Sequence, residues 1–210
     1  MKTIQEIFVD FYDNHLKKLD NKGGIKTQID KGNYQYALGF ASARNIGLSL
    51  AVKNAGLFLR FKLLQSRQIG NAGEDLFKED YEKLEGKGAL EKLPRGNQAH
   101  LNPDFLEKKK EKYIDIKTAT IYKGNKFIFE QVRLKDPRID YYVFLGITPE
   151  GRFYWVLNKK KIKPGKLVYG AKFSPQHSTK GSNATYQWHP SFDQLKKDII
   201  LPDQLSSVII

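Results

Sequence analysis

The sequence predicts an α/β protein in one domain, because three helical patterns precede several strand patterns in the second half of the chain. A length of 210 residues is enough for one domain with an extension. Hydrophobic residues make up 40% of the chain, which is enough for a real core. We divide the chain into an N-terminal extension (residues 1–70), a core (71–165) and a C-terminal segment (166–210).

The extension is expected to be helical with one hairpin. Apolar residues at helical spacing indicate an amphipathic helix over Thr3–Leu19, which would serve in packing or dimerisation. A loop rich in glycine and charge over Asp20–Gly32 leads to a second helix over Tyr34–Asn45. The apolar runs Leu48–Val52 and Leu57–Leu63 favour a β-hairpin, and a helix is the alternative for the same residues.

The core begins with a predicted helix over Glu74–Glu85, which Gly86 terminates. Its apolar stripe consists of Leu76, Phe77, Tyr81 and Leu84. Later in the core, successive side chains of Lys126–Arg133 would point to alternate faces, Phe127, Phe129 and Gln131 to one and Ile128, Glu130 and Val132 to the other, as in a strand. Asp140–Ile147 is a continuous apolar run, which is typical of a strand buried on both faces, and Arg152–Leu157 is a strand that follows a turn.

The segment Lys112–Ile121 is rich in β-branched and aromatic residues, which predicts a further strand. Positions i and i+2 of a strand share a face. Asp115 and Lys117 would therefore project side by side, while Ile116 points into the core. Asp104 belongs to the preceding segment, which would form the other arm of a hairpin and bring this acid back beside them.

Two acids and a lysine in this arrangement suit a magnesium-dependent nuclease. Hydrolysis of a phosphodiester needs an activated water and stabilisation of negative charge, and a divalent cation held by carboxylates serves both needs. Mg²⁺ takes one or two protein carboxylates and fills its other positions with water and phosphate oxygens. A neighbouring lysine would orient the attacking water and offset charge in the transition state.

The order Pro103-Asp104, ten residues, then Asp115-Ile116-Lys117 resembles the PD-(D/E)XK nuclease superfamily, which includes many type II restriction endonucleases. The resemblance implies a restriction-endonuclease-like mixed β-sheet core flanked by helices. It implies Mg²⁺, with Mn²⁺ as a substitute, held by Asp104, Asp115 and the main chain of Ile116. It also implies that Lys117 is the catalytic lysine and that the products carry 5′-phosphates.

The wider resemblance covers Gly73–Ile162 and suggests further acids. A helix in this position often brings a glutamate towards the metal in the superfamily, which makes Glu74 a candidate catalytic residue. Its other interpretation is an acid that complements the helix N-terminus. Glu130 or Gln131, on the strand expected beside the catalytic strand, would lie near the metal or else be ordinary exposed residues.

The charge of the chain points to a polyanionic partner. There are 36 Lys and Arg against 23 Asp and Glu, a formal net charge of +13. We expect double-stranded DNA, cut by a homodimer whose symmetry matches a palindrome. The candidate DNA contacts are Arg133, Lys135, Arg138, Gln176, His177, Ser178, Lys180 and Asn183. A basic surface without a partner, and a surface loop with ordinary turn chemistry, are the alternatives.

Composition excludes several other classes of protein. The absence of cysteine excludes disulfides and thiolate zinc sites, and the four histidines do not stand at metal-ligand spacing. No stretch is apolar enough to span a membrane, and acids interrupt the N-terminal region where a signal peptide would be apolar. These features predict a soluble protein in the cytoplasm of a prokaryotic-type cell.

The residues and the resemblance together predict a type II site-specific deoxyribonuclease that requires Mg²⁺. Two alternatives stay open. One is a nuclease of the same fold that acts in repair, recombination or phage DNA processing. The other is a DNA-binding module that keeps the fold and performs no chemistry.

Overall fold

The computed structural model describes residues 4–43, 57–62, 64–94, 102–122, 124–176 and 184–210. The chain forms two compact units, Met1–Gln65 with Thr148–Gly151 and Ser66–Ile147 with Arg152–Ile210. The division at residue 65 lies near the predicted end of the extension, and the second unit contains both the predicted core and the C-terminal segment. Within the described ranges, no helix combines the length and apolarity needed to cross a membrane.

The first unit is helical in its described residues. Helix α1 (Ile4–Phe11) continues through a π-helical turn and a 3₁₀ turn to Leu19, so the first helix of the extension is confirmed from Ile4 onwards. The expected loop over Asp20–Gly32 is wrong, because helix α2 (Gly24–Asp30) forms there. Asp20 Oδ2 accepts the N–H groups at the start of that helix, from Ile25 and Lys26, at 3.0 Å each.

Two further helices follow in the first unit. Helix α3 (Tyr34–Ala43) confirms the prediction over its described residues. Helix α4 (Leu57–Lys62) replaces the second strand of the expected hairpin, and the first strand, Leu48–Val52, lies outside the described residues. Phe58 and Phe61 are both buried, and a spacing of three residues puts them on one helical face. The strand expected over Leu57–Leu63 is therefore wrong, and the alternative of a helix is confirmed over Leu57–Lys62.

The second unit contains a mixed sheet of five strands, in the order β1-β2-β3-β5-β6, except that the last residue of β5 and the first residue of β6 belong to the first unit. The strands are β1 (Leu90–Lys92), β2 (Phe105–Glu107), β3 (Lys112–Thr120), β5 (Tyr141–Thr148) and β6 (Gly151–Asn158). The pairs β1/β2 and β2/β3 are antiparallel, and β3/β5 is parallel. The α/β class with a mixed sheet is confirmed, and β5 is buried along its whole length as expected.

A second, antiparallel sheet was not predicted. Its order is β4-β9-β8-β7, formed by β4 (Phe129–Val132), β7 (Leu167–Val168), β8 (Ala171–Pro175) and β9 (Tyr186–Trp188). The sequence placed β4 beside β3, but β4 pairs with β9 in the second sheet. The ring of Phe144 on β5 contacts the rings of Phe129, Phe173 and Trp188, so the second sheet covers one face of the first.

The opposite face of the mixed sheet is covered by helix α5 (Ser66–Glu85). A Cβ atom on Gly73 would lie 1.9 Å from Thr118 Oγ1, so glycine is what lets this helix approach β3. The helix starts eight residues earlier than predicted and ends before Gly86, as expected. Its buried face differs from the predicted stripe, because it includes Asp80 while Leu84 is 39% exposed.

The flanking layers therefore differ from the expectation of helices alone. Helix α5 packs on one side of the mixed sheet, and a β-sheet packs on the other. Two short helices, α6 (Phe192–Leu195) and α7 (Leu205–Val208), complete the described part of the second unit. Residues of β3 consequently face either a helix or a second sheet, according to their position along the strand.

Candidate active site

Strand β3 places Asp115 and Lys117 on the face that the second sheet covers. In the parallel register, Asp115 lies beside Tyr142 and Lys117 beside Phe144, whose ring contacts the second sheet. Thr118 faces α5 instead, because alternate residues of a strand point to opposite faces. Asp115 is completely buried, and the side chain of Lys117 retains 16% of its exposure. The lysine therefore stands between a buried acid and solvent.

Two cationic side chains contact the carboxylate of Asp115. Arg133 Nη2 donates a hydrogen bond to Asp115 Oδ1 at 2.7 Å, and Lys117 Nζ lies 2.6 Å from Oδ2. The lysine contact is an ion pair by distance, but its angles do not make a hydrogen bond, and Oδ2 accepts none from the described residues. Coulomb attraction depends on distance rather than on angle, so the pair is real although Oδ2 is incompletely satisfied.

Asp104 is held against the same stretch of β3. The β2/β3 register pairs Phe105 with Ile114, and its continuation by one residue sets Asp104 opposite Asp115. Asp104 Oδ2 accepts the N–H of Ile116 at 2.7 Å, and Asp104 N donates to the Ile114 carbonyl at 2.9 Å. The structure therefore brings Asp104, Ile116 and the Asp115–Lys117 pair together.

Arg133 reaches Asp115 because β4 contains a bulge. Phe129 pairs with Trp188 and Val132 with Tyr186, so β4 has one residue more than its partner between these pairs. Gln131 lies within this bulge, and its φ of 55° is in the left-handed region. Beyond the bulge, Arg133 is directed inwards and is only 8% exposed. It lies inside the site rather than on an open surface.

The main chain of Arg133 is fixed by Tyr142. The Tyr142 hydroxyl donates to the Arg133 carbonyl at 2.6 Å. Burial, followed by the negative charge of Asp115, raises the pKa of Tyr142 well above its usual value. The hydroxyl therefore stays protonated and keeps its role as a donor.

Asp136 is a buried acid of the site that sequence reasoning missed. Arg133 Nη1 lies 3.3 Å from Asp136 Oδ2, and Arg138 forms a fork with both oxygens, at 3.0 and 2.9 Å. Burial alone would raise the pKa of Asp136, but the hydrogen bonds from Arg138 and the charges of both arginines outweigh burial and lower it. An aspartate flanked by arginines at i−3 and i+2 was the available signal.

Asn102 accepts hydrogen bonds from both arginines of the site. Its side-chain oxygen accepts from Arg138 Nη1 at 3.0 Å, and its main-chain carbonyl accepts from Arg133 Nη2 at 2.9 Å. The residue that precedes Pro103-Asp104 is thus tied to both arginines. A continuous network of hydrogen bonds and ion pairs links Asn102, Asp136 and the two arginines to Asp115.

Other predicted residues lie elsewhere. Glu74 is buried on α5, with its Oε2 3.5 Å from Lys92 Nζ, and α5 covers the face of the sheet opposite to Asp115. Glu130 and Gln131 are exposed on β4, in the second sheet. Lys135 is exposed, and Gln176 Oε1 accepts the N–H of Gln131 at 2.7 Å. Four predicted DNA contacts lie outside the described residues: His177, Ser178, Lys180 and Asn183.

The donor atoms present fit a Mg²⁺ ion. Carboxylate and main-chain carbonyl oxygens are the protein ligands that this ion prefers, and it needs only one or two carboxylates. Asp104, directly before β2, and Asp115, on β3, supply them, with Ile116 between Asp115 and Lys117. The buried Oδ2 of Asp115 accepts no hydrogen bond from the described residues. Across those same residues, no three His, Cys, Asp or Glu side chains form a metal-binding group.

Comparisons with known proteins leave the family open. No family model matches the chain, and no curated protein matches it at a significant level. The functional interpretation of the site therefore rests on its geometry and its chemistry.

Proposed function

We propose that this protein is a Mg²⁺-dependent endonuclease of double-stranded DNA, with a restriction-endonuclease-like fold and the activity of a type II restriction enzyme. One observation carries the proposal. Lys117 Nζ lies 2.6 Å from the buried carboxylate of Asp115, while Asp104 is bonded to the main chain between them. Two acids and an amine are thus linked to one stretch of β3, an arrangement that suits metal-dependent hydrolysis of a phosphodiester.

Each residue has a defined part in the proposed reaction. Asp104 and Asp115, with the main chain of Ile116, would hold Mg²⁺, which supplies Lewis-acid stabilisation of the phosphate and lowers the pKa of water. Mn²⁺ would substitute. Lys117 stands at the solvent boundary of the site, where its ammonium would orient the attacking water and donate to a phosphate oxygen in the transition state. The hydrogen bond from the Ile116 N–H to Asp104 holds this acid against β3, the strand that carries Asp115.

The charge of the chain supports DNA as the substrate. A net charge of +13 favours a polyanion, and a short lysine-rich segment follows β6. Lys159 Nζ, at the start of that segment, donates to the Asp136 carbonyl, so the segment adjoins the candidate site. Cleavage of both strands of a palindrome would use a homodimer, and the proposed location is the cytoplasm of a prokaryotic-type cell.

The test is digestion of a fully sequenced phage genome with Mg²⁺, with fragment ends read directly. We expect discrete fragments with 5′-phosphates from the wild type. Lys117→Ala removes a transition-state contact and Asp115→Asn weakens the binding of the ion that stabilises the same charge, so each should lose about 10²–10³-fold in rate. Glu91→Gln and Lys83→Ala are matched controls, because both side chains are exposed and lie outside the cluster. A smear of fragments would favour a processing nuclease instead.

A second candidate function is a DNA-binding module without chemistry. The observation that favours it is the complete burial of Asp115 between two cations, which also describes a structural ion pair. Binding of duplex DNA with no cutting in either Mg²⁺ or Mn²⁺ would support this candidate. Equal cleavage by the wild type and Asp115→Asn would exclude the proposed site.

A further inference from the structure

Arg133 is one of two cationic side chains that contact the carboxylate of Asp115. Its Nη2 donates to Asp115 Oδ1 at 2.7 Å and to the Asn102 carbonyl at 2.9 Å, while its Nη1 lies 3.3 Å from Asp136 Oδ2. The guanidinium therefore bridges two buried carboxylates. A planar fork with several donors is suited to this double contact.

A divalent cation and Arg133 need the same carboxylate. Two cations beside one acid repel each other, and the repulsion is stronger in a buried site than in water. Lys117 already contacts Oδ2 of Asp115, so the arginine on Oδ1 adds a second charge that a metal must overcome. Metal binding at Asp115 would consequently displace the arginine at least partly.

We propose that Arg133 is a positioning residue that holds Asp115 before the metal binds and transfers its guanidinium to Asp136 when the metal arrives. This inference rests on the proposed function, because it assumes a divalent cation at Asp115. Arg133 would thereby set the affinity of the site for metal without contacting the substrate.

Asp136 is suited to receive the guanidinium. It is buried, it already lies within ion-pair distance of Nη1, and its lowered pKa keeps it ionised. The bond from Tyr142 to the Arg133 carbonyl anchors the main chain, so only the side chain needs to rotate. The transfer leaves Arg133 paired throughout, which avoids the cost of an unpaired buried charge.

The test is calorimetric titration of the apoprotein with Mn²⁺, without DNA. Arg133→Gln should bind Mn²⁺ about tenfold more tightly than the wild type, because a competing cation is removed; the size is that of the roughly 10–100-fold effects of changing partners of metal ligands, with the opposite sign. Arg138→Gln is the matched control, because it also removes one positive charge beside Asp136. If the loss of one positive charge acted only through space, the affinity for Mn²⁺ would rise similarly in both variants. The proposal instead expects only a small change in the affinity of Arg138→Gln. The double variant Asp115→Asn/Arg133→Gln should lose the gain.

A second measurement on the wild type covers the case in which Arg133→Gln does not fold. The side-chain ¹⁵N resonance of Arg133, assigned with the charge-conserving Arg133→Lys, should move as Mg²⁺ is added and stay fixed in Asp115→Asn. If the wild type and Arg133→Gln bind Mn²⁺ through Asp115 with equal affinity, the inference about Arg133 is overturned and the proposed function is not. The same holds if the Arg133 resonance does not move while metal binds at Asp115. Absence of metal binding in both proteins would overturn the proposed function as well.

Discussion

Two buried aspartates of the second unit, Asp80 and Asp115, have similar neighbours but different degrees of satisfaction. Asp80 on α5 receives a fork from Arg152, with Nε to Oδ2 and Nη2 to Oδ1 both at 2.6 Å. The Tyr154 hydroxyl adds a third hydrogen bond at 2.7 Å. Both oxygens of Asp80 are therefore bonded with good geometry, as a structural ion pair requires.

Asp115 also has an arginine and a tyrosine nearby, yet its bonding is incomplete. Arg133 gives it one hydrogen bond, Tyr142 bonds to the arginine instead, and Lys117 approaches Oδ2 only as a charge. A buried oxygen without a hydrogen bond costs free energy, and a functional role is one reason for a protein to retain it. The two aspartates thus differ in hydrogen-bond satisfaction and not in burial or pairing, but incomplete satisfaction alone does not mark a site, since Oε1 of the buried Glu107 also accepts no hydrogen bond from the described residues.

The largest expected difference in the free energy of unfolding is that between two variants that each neutralise one buried aspartate, Asp80→Asn and Asp115→Asn. Asp80→Asn leaves the Arg152 guanidinium beside a neutral amide and should lower the free energy of unfolding by about 3 kcal/mol. Asp115→Asn should cost less, because Arg133 keeps its contacts with Asp136 and the Asn102 carbonyl. Urea denaturation of both variants, with circular dichroism as the probe, measures the difference. A greater loss from Asp115→Asn would make Asp115 the structural member of the comparison.

Removal of the tyrosine hydroxyl beside each aspartate, Tyr154 for Asp80 and Tyr142 for Asp115, should give a smaller difference in the free energy of unfolding. Tyr154→Phe removes a hydrogen bond to a charged group and should cost about 2 kcal/mol. Tyr142→Phe removes a bond to a neutral carbonyl and should cost about 1 kcal/mol. The same denaturation measurement applies, with cleavage rate as a second readout. Only Tyr142→Phe should also reduce cleavage, since it loosens the main chain at Arg133; reduced cleavage in Tyr154→Phe at full folding would contradict this separation.

The smallest expected effect on the free energy of unfolding is its decrease at low pH through protonation of Asp136. Its pKa is lower in the folded protein than in the unfolded chain, so the unfolded state takes up the proton first as pH falls. The stabilisation is fully present above the unfolded value near 3.8 and is lost as pH falls through the folded pKa. Asp136→Asn should flatten the stability curve in this acid range, as melting temperatures at stepwise pH would show. An unchanged curve would remove Asp136 from the network.

Local composition predicted the elements that position the candidate acids. Strand β3 followed from β-branched and aromatic residues, and β5 from a continuous apolar run, since both patterns depend on neighbouring positions alone. The hairpin that returns Asp104 to Asp115 was also expected, because the two segments are close along the chain.

The rest of the site depends on contacts that the sequence does not encode locally. Arg133 was assigned to DNA because it is basic, and only the bulge at Gln131 shows that it points towards Asp115. Asp136 directly precedes a proline, a position that is typical of turns, so its local sequence does not indicate a buried acid. The second sheet was missed because β4 and β9 are short and lie more than fifty residues apart in the chain.

The parallel pairing of β3 with β5 has a consequence for how the protein folds. The connection between these strands passes through β4, which belongs to the other sheet. Parallel strands always need a crossover, and here the crossover itself must find a distant partner near the C-terminal end. The two sheets should therefore assemble in one cooperative step with a high contact order, and refolding should be slow compared with helical proteins of similar size.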